Sequence, residues 1–212
     1  MNSIEKMIAH QLLAIKAIQL NVENPFTWAS GWRSPIYCDN RKTLSHPRIR
    51  KIIYESLAAI VRENFAAANL IAGVATGAIA HGVLVAEYLQ KPFIYVRAAP
   101  KSHGLQNLIE GELPDGSKVA VIEDLISTGG SSLSAVNTLR KAGADVLGMA
   151  AIFTYDFDAA RRNFEKSGCT LYTLCNYPAL IAEAITRNYI AAADVDTLKR
   201  WRESPERWGT ED

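Results

Sequence analysis

The chain is predicted to be an α/β protein in which a parallel sheet is flanked by helices. Apolar, largely β-branched runs at 70–75, 93–97, 118–123 and 145–153 have the look of strands buried on both faces. Helix-period stretches alternate with them, at 47–66, 79–89 and 131–141. Glycine-bearing turns stand where strand gives way to helix, at Thr76-Gly77-Ala78 and Thr128-Gly129-Gly130. Alternation of this kind gives a Rossmann-like sheet whose ligands sit outside the carboxyl ends of the strands.

At 212 residues, a single domain spanning 1–212 is expected. With 49% hydrophobic and 21% charged residues, the composition is that of an ordinary soluble globular protein. A formal net charge of +1 supplies no long-range attraction to nucleic acid or to an anionic membrane. Neither is an expected partner, and any anion site must be local. No apolar run is long enough to span a bilayer, and residues 1–20, with Glu5, Lys6 and Lys16, read as an amphipathic helix rather than a secretory signal. The expected location is cytoplasmic. Cys38, Cys169 and Cys175 form no CxxC pair and fit core or near-core thiols in a reducing compartment.

In chain order, a first helix is expected over 3–18, with Ile4, Met7, Ile8, Leu12 and Ile15 on one apolar face. Strand-like pieces at 26–29 and 36–39 flank Ser30-Gly31 and suggest a hairpin, either an aromatic cap on the core or a lid over a planar ring. Ser45 or His46 caps the next helix, and Pro47 sits in its first turn. The strand at 70–75, its turn, the helix at 79–89 and the strand at 93–97 follow. Residues 98–111 form a long, polar connection bracketed by glycines, of a length that is usually functional inside a compact α/β unit. Arg97, Lys101 and His103 lie at or within it. After the central strand, the helix at 131–141 is closed by Gly143. The strand at 145–153 leads to a helix capped by Asp156 or Asp158, then to a last strand at 170–174 and helices at 179–189 and 194–202. Trp201 and Trp208 are expected to anchor the tail on the body or on a partner subunit.

Function turns on residues 119–132, VAVIEDLISTGGSS. Gly129 and Gly130 allow positive φ and leave no Cβ in the way of an anion. Amides of the turn and of the first helical residues are left without helical partners, so a phosphate can accept from them. Ser127, Thr128 and Ser131 add hydroxyl donors without charge. Glu123 and Asp124 would repel a bare phosphate, but they suit vicinal sugar hydroxyls, a metal-bound diphosphate or a cationic transition state. The ligand so described is a phosphorylated ribose. Neither GxxxxGK[ST] nor GxGxxG is present, which sets aside the P-loop and the dinucleotide fingerprint.

This stretch resembles the type I phosphoribosyltransferases, whose signature is an apolar strand, two acids and a Thr-Gly-rich turn. Their first acid is commonly aspartate; here it is Glu123. Two further motifs narrow the resemblance to the orotate phosphoribosyltransferase family. Phe26, Thr27, Ser30, Gly31, Ser34 and Pro35 match F-T-x-x-S-G-x-x-S-P, the hairpin that forms part of a hood over orotate. Arg97, Lys101, His103 and Gly104 match the flexible loop R-x-x-x-K-x-H-G. The chain carries Ala29 and Ala98 where some members have lysines, and Arg161 and Arg162 lie several residues past the place near Asp156 where some members have an orotate-binding arginine.

The resemblance implies the type I phosphoribosyltransferase fold, with residues 1–40 contributing the hood and 98–111 the flexible loop. It also implies transfer of ribosyl phosphate from 5-phospho-α-D-ribose 1-diphosphate to orotate. Arg97, Lys101, His103, Glu123, Asp124, Leu125, Ile126, Ser127, Thr128, Gly129, Gly130 and Ser131 would bind the phosphoribosyl diphosphate. Lys101 and Asp124 would be catalytic, and Ser127 would also touch orotate. Mg²⁺ is the implied cofactor, held mainly through the diphosphate rather than by protein ligands. A homodimer sharing loop residues across its interface is the implied assembly. A purine-base phosphoribosyltransferase, or a regulator that senses phosphoribosyl diphosphate without turnover, shares the cradle and stays open as an alternative.

Overall fold

A computed structural model describes residues 3–98 and 108–208. From the amino end run α1 (Ser3–Ala14), β1 (Ile18–Leu20), β2 (Phe26–Thr27), β3 (Arg33–Ser34) and β4 (Ile36–Cys38). A 3-10 turn (Asn40–Ser45) leads to α2 (Pro47–Asn64), β5 (Leu70–Val74), α3 (Ile79–Leu89), β6 (Phe93–Val96) and β7 (Ile109–Glu110). Then come β8 (Lys118–Ile126), α4 (Gly130–Lys141), β9 (Asp145–Thr154), α5 (Asp158–Ser167), β10 (Leu171–Asn176), α6 (Tyr177–Thr186) and α7 (Val195–Glu203). No helix among the described residues is long and apolar enough to cross a membrane.

Six strands form one sheet in the order β10-β9-β8-β5-β6-β7, parallel throughout except for β7 against β6. Side-chain alternation along each strand divides the core in two. Leu70, Ala72, Val74, Val119 and Val121 point to the face covered by Leu133, Val136 and Leu139 of α4 and Phe164 of α5. Ile71, Ala120, Ile122, Ala150 and Ile152 point to the other, among Ile8 and Leu12 of α1 and Ile53 and Leu57 of α2. Helices on both faces explain why β5, LIAGV, is buried at every position. Cys169 and Cys175 are buried, Cys38 half-buried, and all three are free thiols.

Several expected boundaries shift, each for a local reason. The first helix stops at Ala14 rather than Ile18, because Lys16 adopts φ 55° and turns the chain into β1. Residues 36–38 therefore pair with β1, and the Ser30-Gly31 turn instead joins β2 to β3. Pro35 has no amide to extend the ladder, so it separates β3 from β4. The central strand does not end at Glu123: Glu123, Leu125 and Ile126 stay in register with Ala151, Phe153 and Thr154 of β9. Both acids thus lie inside a strand. Phe157, not Asp156 or Asp158, holds the cap position of α5, and α6 starts early because Asn176 caps it by accepting from Ala179 N at 2.9 Å. The two-residue strand β7 gave no legible signal.

The amino-terminal strands are fastened to the body by rings. Trp28 donates its indole N–H to Ile36 O at 3.0 Å and lies 5.0 Å from Tyr155 and 5.8 Å from Trp201. Trp201, fully buried, also meets Phe157 at 5.5 Å and Tyr177 at 5.4 Å. The carboxyl-terminal helix is therefore anchored through one aromatic side chain to the β2–β3 hairpin and the end of β9. Trp201→Ala is expected to cost about 3–5 kcal/mol. Denaturant titration would measure this, and near-ultraviolet dichroism should report loosening of the hairpin tryptophans in the same variant.

Candidate active site

β5 and β8 are adjacent and parallel, so their carboxyl ends release turns on the same edge of the sheet. The two turns and the paired acids enclose a cavity of about 310 Å³ lined by Val74, Ala75, Thr76, Gly77, Glu123, Asp124, Leu125, Ser127, Thr128, Gly129, Gly130 and Ser131. A larger cavity of about 550 Å³ lies between α5 and β10, but its lining contains neither the acids nor the amide turns.

The turn after β8 is shaped for an anion. Gly129 caps α4 at φ 83°, and a Cβ there would stand 2.8 Å from the Phe164 ring, so only glycine fits. No side chain caps this helix, which leaves the amides of Gly130, Ser131 and Ser132 without intrahelical acceptors. Asn163 Nδ2 donates to Thr128 O at 3.0 Å and fixes the turn from outside. Ile126 belongs to the strand rather than the turn: its side chain is fully buried and its carbonyl accepts from Tyr155 N at 3.1 Å. The cradle proper therefore begins at Ser127. Leu125 is half-buried beside it.

The two acids have different surroundings. Glu123 is 4% exposed and turned inward; Ser132 Oγ donates to Oε2 at 2.8 Å and Asp124 N donates to Oε1 at 2.9 Å. Burial pushes its carboxyl well above the usual range, and the neighbouring Asp124 adds to this. Burial also raises Asp124, while its hydrogen bond with Glu123 and the nearby Arg41 act the other way. Adjacent carboxylates in a dry site cannot both be charged cheaply. The push upward is the stronger on Glu123, the more deeply buried of the two. The Asp124 carboxylate lies directly against Gly77, where any Cβ would collide with it. That contact joins the two turns and was not legible in the sequence.

Arg97 follows β6 on the same edge; its N–H donates to Leu108 O at 2.8 Å and its guanidinium pairs with Glu110 at 3.3 Å. Lys101, His103 and Gly104 lie outside the described residues. Asp156 caps nothing; it takes φ 54° and binds Arg161 at 3.2 Å and Arg202 at 2.9 Å. Sequence reasoning also missed Asn40, whose Nδ2 donates to Asp124 O at 2.6 Å from far earlier in the chain. It missed His81 as well, a fully buried residue of α3. Neither belongs to a motif.

The phosphoribosyl transferase domain family matches residues 41–177. The orotate phosphoribosyltransferase of Porphyromonas gingivalis is 56% identical over 209 residues, covering 99% of this chain and 100% of that one. The chain belongs to the orotate phosphoribosyltransferase family. The Phocaeicola vulgatus orotate phosphoribosyltransferase is 55% identical, covering 98% of both chains. Among solved structures, orotate phosphoribosyltransferase from Aeropyrum pernix superposes with a TM-score of 0.75 at 25% identity, covering 87% of this chain and 100% of that one. Leishmania donovani UMP synthase gives 0.77 at 27% identity; the match takes in 93% of this chain but spans only 42% of that longer one. The fold is that of the type I phosphoribosyltransferases, as the sequence motifs implied.

His81 supplies a pH test. Burial pushes its imidazole from about 6.5 down to about 4. A depressed histidine contributes stability that is present above pH 6.5 and is lost as pH falls towards 4, where the unfolded chain takes the proton and the folded one refuses it. The loss is on the order of 3 kcal/mol. Melting curves of the unaltered chain and of His81→Gln should converge or cross between pH 7 and pH 4, with the unaltered chain losing more.

Proposed function

We propose that the protein transfers ribosyl phosphate from 5-phospho-α-D-ribose 1-diphosphate to orotate, giving orotidine 5′-phosphate and diphosphate in pyrimidine nucleotide synthesis. The observation that carries this is the Asp124 carboxylate lodged between two glycine turns at one sheet edge. Family membership names the base: relatives 55–56% identical over nearly the whole chain are orotate enzymes, which argues against a purine base.

In this reading the 5′-phosphate accepts from the amides and hydroxyls of residues 127–131, and Asp124 grips the ribose hydroxyls. Glu123, its oxygens already engaged, supports Asp124 and reaches the sugar with what capacity remains. The bond from the anomeric carbon to diphosphate breaks and a bond to the orotate ring nitrogen forms. Positive charge develops on the ribose beside Asp124, where a fixed carboxylate stabilises it better than reorganising water. Arg97, Lys101 and His103 neutralise the departing diphosphate. Orotate is a planar anion that needs little help to attack, so no general base is assigned; Ser127 contacts it. Residues 1–40 cover the ring and 98–111 close over the diphosphate of a neighbouring subunit in a homodimer, within the cytoplasm.

The residues fit Mg²⁺ in a limited role. Among the described residues no group of three or more potential ligands gathers, whereas the Asp124 carboxyl lines the cavity. A hard ion held mostly by diphosphate oxygens, with Asp124 in reach, suits that set; it would spread the charge of the leaving group.

Mixing the protein with orotate, phosphoribosyl diphosphate and Mg²⁺ should lower orotate absorbance. Turnover on hypoxanthine or guanine instead would move the assignment to a purine base. Lys101→Ala is expected to cut turnover about a hundredfold or more. Ribose 5-phosphate affinity, measured by calorimetry, should change little in that variant; equal losses would make the loop a binding element only.

A further inference from the structure

We propose that Asn40, backed by Thr43 and His81, positions Asp124 for the transfer, through a buried chain of hydrogen bonds that holds the peptide bearing the ribose-facing carboxylate. This rests on placing the ribose at Asp124.

The need for such a device follows from the sheet. β5 pairs with β8 only as far as Gly73 opposite Ile122. Beyond that point β8 has a sheet neighbour on one side alone, β9, whose register takes Glu123, Leu125 and Ile126 but not Asp124. The Asp124 peptide groups would be orphaned in a largely buried place, which is costly. Side chains take over instead. Asp124 N donates to Glu123 Oε1 at 2.9 Å, and Asp124 O accepts from Asn40 Nδ2 at 2.6 Å.

Asn40 is itself held. Thr43 Oγ1 donates to Asn40 O at 2.6 Å, so its lone pairs face His81 Nε2 at 3.2 Å. That arrangement makes Nε2 the protonated nitrogen of a neutral ring. Donation therefore runs one way, from His81 to Thr43 to the Asn40 residue, and from Asn40 on to Asp124. Asn40, Thr43 and His81 are 1%, 0% and 0% exposed, so water does not substitute for any of them. His81 lies in the first turn of α3, directly after the Gly77 turn, and Asn40 directly follows Asp39 at the end of the amino-terminal strands. The chain thus ties the Gly77 turn, the hood and the acid to one another. Turning the Asp124 peptide would lift its carboxylate off Gly77 and away from the sugar.

Thr43→Val keeps the side-chain shape and cuts the chain, Thr43→Ser restores the hydroxyl, and Asn40→Ala removes the last donor. In Thr43→Val and Asn40→Ala, kcat per folded molecule should fall about tenfold or more, the worth of one lost hydrogen bond felt in the transition state. KM for phosphoribosyl diphosphate and calorimetric affinity for ribose 5-phosphate should move little, because the amide turn is intact, and Thr43→Ser should recover the rate. A lowered melting temperature with unchanged kcat would make the chain merely structural and overturn the proposal. A rise in KM alone, or a Thr43→Ser variant as slow as Thr43→Val, would overturn it too. If Asn40→Ala does not fold, the Thr43 pair carries the comparison. Should the unaltered chain reject orotate but accept a purine base, the functional reading falls, while the same rate ratios on that base still decide the role of Asn40.

Discussion

The site exists because one strand outruns its neighbour. β8 continues past the last residue of β5 that pairs with it, and the overhang carries Glu123 and Asp124 into a gap between two turns. An overhang of this kind is expensive: peptide groups lose their ladder and two acids share a dry pocket. The structure meets both demands with the same side chains. Glu123 accepts from the Asp124 amide and from Ser132 Oγ; Asn40 donates to the Asp124 carbonyl. What remains facing outward is a single carboxylate with its direction fixed, the feature a sugar-binding and charge-stabilising group requires.

Around that overhang the rest of the molecule acts as a brace. Helices on both faces bury the sheet, and Phe164 stands behind Gly129 so that the turn after β8 cannot relax backwards. The aromatic assembly of Trp28, Tyr155, Phe157, Tyr177 and Trp201 joins the first forty residues to the last helix. Chain ends far apart in sequence thus settle on one side of the site. The two arginines on Asp156 extend the same fastening, since Arg202 also donates to Asp156 O at 2.7 Å.

Patterns that depend on neighbours in sequence were legible. The helix at 79–89 was read with its observed limits and the start of the helix after the glycine turn to within a residue, because periodicity and turn chemistry are local. The family and its base could be read from the hairpin and loop motifs. What escaped reading depends on contacts across the fold. Nothing around residue 18 reveals that Ile18–Leu20 leaves the helix for a strand, because its partner is Ile36–Cys38. Nothing in EDL says the strand continues, because that is decided by β9. Asn40 and Asp124 meet across 84 residues, a distance no motif spans.

The short ladder of β6 and β7 has a consequence of another sort. Val96 pairs with Ile109, Tyr95 with Glu110, and Arg97 N bonds Leu108 O, so the two stems of the connection are stitched side by side. Whatever number of residues lies between those stems, the sheet below meets the same boundary. Closing a longer span costs only a slowly rising entropy. The sheet itself therefore sets no limit on that connection, and Arg97 is held at its stem by Leu108 and Glu110.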